Sequence, residues 1–422
     1  MKWTSAISTR PSLEAAVKEV VDKAKTALGQ APDLALVFIA DAYASEYPRL
    51  MPLLQERLGN TPILGCGGSG IIGQSTSGRP QEIEDEPAIS LTLASLPDVN
   101  IHSFVLRPEN LPDLDSSPDA WVEALGVDPA ENPHFILLGD AMSARINDLL
   151  QGLDYAYPQA VKIGGLTTGV SALGGSGLFC KGRLLREGTV GVALSGNISV
   201  ETIVAQGCRP VGPLLRVAES DRHVLLQVET HPEGERWETA AVVDTKVQTA
   251  LEALHRALDT LDEKDRAKAQ NALSVGIVHD AFKTTLETGD FLIRNLLGVD
   301  PRIGAIAIGD RIRPGQRIQF HLRDAEASAE ELEMLLIDYQ AKHVDQPSAP
   351  AGALLFNCVG RGERFYGQQD FDTQLFRRFV GSTPICGFFC QGEIGQVGNA
   401  TFLHGYTAVF GLFRPLYDSN TL

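Results

Sequence analysis

The chain has 422 residues, 44% hydrophobic and 21% charged, which is apolar mass for two or three packed domains and too much for a disordered chain. Lys and Arg number 36 against 53 Asp and Glu, a net charge of −17 that repels phosphate backbones, so nucleic acid is not an expected partner. Six scattered cysteines do not form the dense framework of a small secreted domain, residues 1–20 hold no apolar leader run, and no stretch of about 18 apolar residues occurs. The expectation is a cytoplasmic protein with reduced thiols and no membrane insertion.

In chain order, Leu13, Ala16, Val17, Val20, Val21, Ala24 and Leu28 share one stripe of a helix stopped at Gly29. Residues 33–40 form a short apolar run bounded by Pro32 and Asp41, the pattern of a strand covered on both faces. A helix over 47–58 follows, then a strand over 61–66 that runs into glycines, and a strand over 88–94. The same order returns: a strand at 135–139, a helix at 143–153, a strand at 161–165 entering Thr167-Thr168-Gly169, and a closing strand at 189–194. It returns again at 353–358, 372–380 and 383–388, entering Gln391-Gly392-Glu393, with 402–412 closing the unit. Thr61-Pro-Ile-Leu-Gly65 and Thr383-Pro-Ile-Cys-Gly387 match at four of five positions, a repeated supersecondary unit.

A looser fourth copy is expected at 275–278, a helix at 291–297, and strands at 305–308 and 318–322. Helices are also expected over 243–261 and 326–340, and the polar stretches 75–87 and 345–350 read as surface loops. The fold class is α/β, with mixed sheets built from repeated strand–helix–strand–strand units in two related halves. An N-terminal helix occupies 1–30, and domains span 31–229 and 230–422, with the boundary in the Pro- and Gly-bearing segment near Thr230.

Gly65-Cys-Gly-Gly-Ser-Gly70 has dinucleotide-loop spacing, but the Gly-, Ser- and Pro-rich residues after it cannot open the helix such a site requires. Two readings remain for these glycines: tight turns between strands, or backbone N–H groups that cradle an anionic ligand group. Cys386 and Cys390 stand at C-x3-C, which is not a zinc-ribbon spacing and has no second pair. Cys66 or Cys358 with His404 leaves open a cysteine-dependent hydrolase or transferase, although no complete catalytic motif is present and no enzyme is expected. Arg361 and Glu393 follow apolar strands; they could pair with each other, or grip the carboxylate and amine of an amino acid.

Asn357-Cys-Val-Gly-Arg-Gly362, Cys386-Gly-Phe-Phe-Cys-Gln-Gly-Glu-Ile-Gly395 and His404-Gly-Tyr-Thr407 together resemble the C-terminal signature of FIST-domain proteins. Gly289-Asp-Phe-Leu-Ile-Arg294 and Gly309-Asp-Arg-Ile-Arg-Pro-Gly315 look like the same family's C-terminal domain. Ile63–Gly70 and Ile163–Gly169 are similar to its N-terminal domain. The resemblance implies a sensory, intracellular signal-transduction module that binds a small ligand such as an amino acid and signals to a separate partner protein. No cofactor is expected on that reading; the alternative it implies is a haem-based nitric oxide sensor with an axial ligand among His404, His223 and His321. The expected ligand cleft is lined by Gly67, Gly68, Ser69, Thr167 and Thr168, with Arg361 and Glu393 fixing charged ends and His404 nearby.

Overall fold

The structure is a computed structural model that describes residues 1–142, 145–168, 176–230, 246–286, 288–344 and 349–417. Its chain opens with β1 (Lys2–Ser8), a strand absent from the sequence reading, and α1 (Leu13–Leu28), which buries the expected stripe and ends at a left-handed Gly29. The first repeat is β2 (Leu34–Ala40), α2 (Tyr47–Leu58), β3 (Ile63–Gly68), β4 (Gly70–Gln74), β5 (Pro80–Glu84) and β6 (Ile89–Ser95). After β7 (Val99–Leu106) and α3 (Pro118–Leu125) comes the second: β8 (His134–Asp140), α4 (Ile146–Ala156), β9 (Lys162–Thr167), β10 (Leu178–Cys180), β11 (Arg183–Leu185), β12 (Thr189–Gly196) and β13 (Ser199–Ala205).

The middle of the chain forms β14 (Cys208–Asp221), β15 (Val224–Thr230), β16 (Lys246–Thr249), α5 (Ala250–Asp259), α6 (Glu263–Ala272), β17 (Leu273–Val278), β18 (Phe291–Asp300), β19 (Ala305–Ile308), β20 (Arg317–Arg323) and α7 (Ala325–Lys342). The third repeat is β21 (Gly352–Cys358), α8 (Glu363–Tyr366), α9 (Phe371–Val380), β22 (Ile385–Cys390), β23 (Glu393–Val397), β24 (Ala400–His404) and β25 (Ala408–Arg414).

The chain forms two compact units. One comprises residues 1–204, 332–403 and 407–422, and the other residues 205–331 and 404–406. The first holds all three repeats apart from Ala205 and residues 404–406. Each repeat builds a sheet around two parallel strands and one antiparallel strand: β6-β2-β3, β12-β8-β9 and β25-β21-β22. Each sheet then accepts a strand from another repeat. β10 pairs with β3, β4 with β22, and β23 with β9. The exchange closes on itself, so each repeat lends one strand and borrows one.

The second strands carry the joint. Gly65, Gly164 and Gly387 face Val37, Leu137 and Leu355 in the same register. At each glycine an added Cβ would fall on the carbonyl oxygen of the facing residue, so only glycine fits. Apolar side chains from all three repeats, among them Phe38, Cys66, Ile136, Leu138, Leu178, Phe356 and Phe388, pack into one core.

In the second unit β14-β20-β17-β18-β19-β15 run antiparallel in turn, and β14 also pairs with β15, so the sheet closes as a six-stranded barrel with β16 added to β15. This corrects two expectations. Residues 291–297 are strand, not helix: Phe291, Leu292 and Ile293 are buried and the next residues alternate, a short apolar run whose period does not separate the two forms. With only antiparallel pairs, this region is not a fourth copy of the repeat. The helix expected over 243–261 begins at Ala250, where the Thr249 hydroxyl and the Glu252 carboxylate cap each other's backbone N–H; Lys246–Thr249 is strand, and residues 243–245 lie outside the described ones.

Candidate functional site

The last paired residues of the three parallel strand pairs are Ala40 with Gly68, Asp140 with Thr167, and Cys358 with Cys390. The lent strands are equivalent too: Ile71, Leu178 and Glu393 occupy one position, since they pair with Phe388, Cys66 and Gly165 in matching register. Two repeats fill it with a buried aliphatic side chain, and the third with a buried carboxyl group.

Glu393 is fully buried. Its Oε1 accepts from the Cys390 thiol at 3.5 Å and its Oε2 from the Thr407 N–H at 3.1 Å, and the Cys358 thiol also donates to it. Loss of hydration nonetheless dominates and pushes its pKa up to about 8, against the pull of these donors and of the Arg361 charge. Arg361, three residues past the end of β21, is also buried. It was expected to meet a ligand carboxylate, or Glu393 itself. Its fork instead closes on Asp372 at the start of α9, with Nε to Oδ2 at 3.0 Å and Nη2 to Oδ1 at 2.9 Å. Asn357 Nδ2 donates to the same carboxylate at 2.9 Å and the Tyr366 hydroxyl at 3.1 Å.

Glu82 of β5 adds a third buried acid. It accepts from the Thr373 N–H at 2.8 Å, and burial, reinforced by the Asp372 charge, raises its pKa to about 8. The cluster therefore contains one fixed base, Arg361, and three acids. It is neutral when Arg361 pairs with Asp372 while Glu82 and Glu393 keep their protons. Glu82 Oε2 and Asn357 Oδ1 are buried with no hydrogen-bond partner among the described residues.

The turn residues make contacts of their own. Thr168 donates to Asp41 Oδ2 at 2.6 Å, and Tyr47 donates to Asp41 Oδ1 at 2.9 Å. The Thr167 hydroxyl donates to Ser176 Oγ at 2.6 Å, and Ser176 in turn to Asp140. Gly67 gives its N–H to the Gly177 carbonyl at 2.8 Å, and a Cβ there would meet the Tyr47 ring; one at Gly68 would meet Phe388. Ser69 is exposed, and His404 is buried at the end of β24. The turns thus meet one another, and protein groups occupy the space beside Gly67 and Gly68.

Cys66 and Cys390 are fully buried, and their thiols are pushed well above the usual range, chiefly by burial, which is the reverse of an activated nucleophile. Sequence reasoning missed Asp372, which reads as a first-turn helix residue, and Glu82, which sits in an acidic stretch read as a loop. The alternation Gln81-Glu82-Ile83-Glu84 is the signal that could have found β5.

The model of the FIST N domain matches residues 33–230, and that of the FIST C domain residues 250–396. This chain belongs to the FIST family. FIST domains are in general sensory domains that bind small ligands, sensory rather than catalytic. An uncharacterized protein of Mycobacterium tuberculosis (strain ATCC 25618 / H37Rv) is 31% identical, covering 98% of this chain and all of its own length. One from Mycobacterium bovis is 30% identical over 98% and 99% of the two chains. The F-box only protein 22 of Homo sapiens is 32% identical over 76 residues, 14% of this FIST chain and 19% of its own. Among solved structures, a cyanuric acid hydrolase from A. caulinodans aligns over 98% of this chain and 99% of its own with a TM-score of 0.31 and 9% identity. No described helix of the FIST chain is long and apolar enough to cross a membrane.

Proposed function

We propose that this chain is a cytoplasmic sensory module whose ligand is an amino acid or related metabolite, recognised through its ammonium group beside Glu393, and that it passes the signal to a separate protein. The observation that carries this reading is the substitution within the repeat: a buried acid where the two equivalent positions hold Ile71 and Leu178. A buried ionisable cluster is weak support for stability, and an aliphatic side chain is the cheaper filling, so its retention favours a role in binding. The cluster is short of one positive charge for each acid that keeps its proton. An ammonium group supplies one, and Glu393 then ionises and releases its proton. In this reading Asp372 holds Arg361 in place, and the Arg361 charge favours the ionised form of Glu393. The turn residues Gly67, Gly68, Ser69, Thr167 and Thr168, with His404, belong to the frame that a bound ligand would shift between two arrangements.

The test is a thermal-shift screen of amino acids and amines, followed by calorimetry in buffers of different ionisation heat. A ligand at 100 times its dissociation constant adds about 2.7 kcal/mol. The expected result is binding with release of a proton, and at least about thirtyfold weaker binding in Glu393→Gln, in line with loss of one partner of a buried charge pair. If Glu393→Gln binds equally well, or no amine binds, the assignment is wrong. A Soret band in the purified protein would instead support the haem reading.

A further inference from the structure

β1 is the terminal strand of its sheet, paired on one side by β6. The ladder shows where its other side points. Ala88 and Ala94 turn their carbonyls toward β2, accepting from Ala40 and Asp33, so the alternate residues Ile89, Leu91 and Leu93 face β1. Those three pair with Ser8, Ala6 and Thr4. Trp3, Ser5 and Ile7 therefore direct their N–H and C=O groups away from the sheet, and these groups have no backbone partner among the described residues.

A groove follows this edge. One cavity of about 560 Å³ lies beside residues 3–6 and a second of about 210 Å³ beside residues 7–10; both are walled by Lys23, Ser75 and Thr76. Two side-chain groups on the edge are also unpaired among the described residues: the buried indole N–H of Trp3 and the hydroxyl of Ser5. The charged side chains along the groove are already matched. Asp22 meets Lys18 at 2.5 Å, and Glu19 meets Lys23 at 2.7 Å and Arg10 at 3.2 Å.

We propose that this edge takes an extended, uncharged peptide segment of a partner protein as an added strand. The unpaired groups repeat every second residue from Trp3 to Ile7, a span of about 13 Å at about 3.3 Å per residue. Another extended backbone matches that repeat of donors and acceptors. Each of these charges already has a partner, so none is left to grip a charged side chain of an added strand, and the polar residues Ser75 and Thr76 line the facing wall. This inference is independent of the site at Glu393.

The test pans phage-displayed random heptapeptides against the full chain and measures hydrogen exchange of residues 2–8 with each synthetic hit. Uncharged hits that slow exchange across 2–8 are expected. Ser5→Pro removes one outward N–H while leaving the β1–β6 ladder, which uses Thr4 and Ala6, and should weaken binding at least tenfold; Ser5→Ala should change it less than threefold. Peptides N-methylated at alternate amides should lose binding to the unmodified protein, which decides the matter even if Ser5→Pro fails to fold. The proposal is overturned if no uncharged hit protects residues 2–8, or if N-methylated peptides bind equally well. It is also overturned if sedimentation shows a dimer sensitive to Ser5→Pro in the absence of peptide, which would assign the edge to a second copy.

Discussion

At one position of the repeat, Ile71 and Leu178 are ordinary core residues, while Glu393 is a fully buried acid. The strand ends beside them differ in the same direction: Ala40 with Gly68, Asp140 with Thr167, and Cys358 with Cys390. One backbone plan thus carries an apolar joint, a hydroxyl–carboxylate joint and a thiol–acid joint. Backbone geometry is held by the glycines common to all three repeats, and chemistry is left to the residues at the strand ends.

The largest effect expected from breaking this comparison lies at Asp372. Asp372→Ala strands the buried Arg361 charge and should cost about 3–5 kcal/mol in urea unfolding. Gly387→Ala should follow at about 3 kcal/mol, because the new methyl group meets the Leu355 carbonyl, and Gly164→Ala should cost as much if the repeats are mechanically equivalent.

A third test uses pH. Glu82 and Glu393 keep their protons in the folded chain up to about 8, whereas unfolded carboxyls lose theirs near 4.5. Their contribution to stability is complete below pH 4.5 and is lost as pH rises toward 8, at about 1.4 kcal/mol per pH unit for each proton retained. Glu393→Gln should remove its share of that slope. Glu393→Leu, which copies Leu178, should leave the melting temperature equal or higher at pH 8 while abolishing ligand-induced stabilisation. The smallest effect belongs to exposed Ser69, where Ser69→Ala should stay within about 0.5 kcal/mol.

The parallel pairs were legible because strands buried on both faces leave unbroken apolar runs, and Thr61–Gly65 repeats almost unchanged at Thr383–Gly387. The exchange of strands was not legible. Ile72 pairs with Gly387 across more than three hundred residues, and no local pattern records such a partner. Arg361 and Glu393 were recognised as special from their place after apolar strands, and both lie in one buried cluster. Their true counterparts, Asp372 and Glu82, looked like solvated charges, since burial of an acid is a property of what surrounds it in space. β18 was missed for the opposite reason: its apolar run fits either period.

The circular lending of strands also orders the biosynthesis of this protein. When the ribosome has made the first two repeats, β4 still has no sheet to join and β9 lacks its outer neighbour, because β22 and β23 belong to the last seventy residues described. The early chain must wait with strand edges uncovered until residues 385–397 emerge. A cut between the two halves of the sequence would leave each fragment holding strands meant for the other.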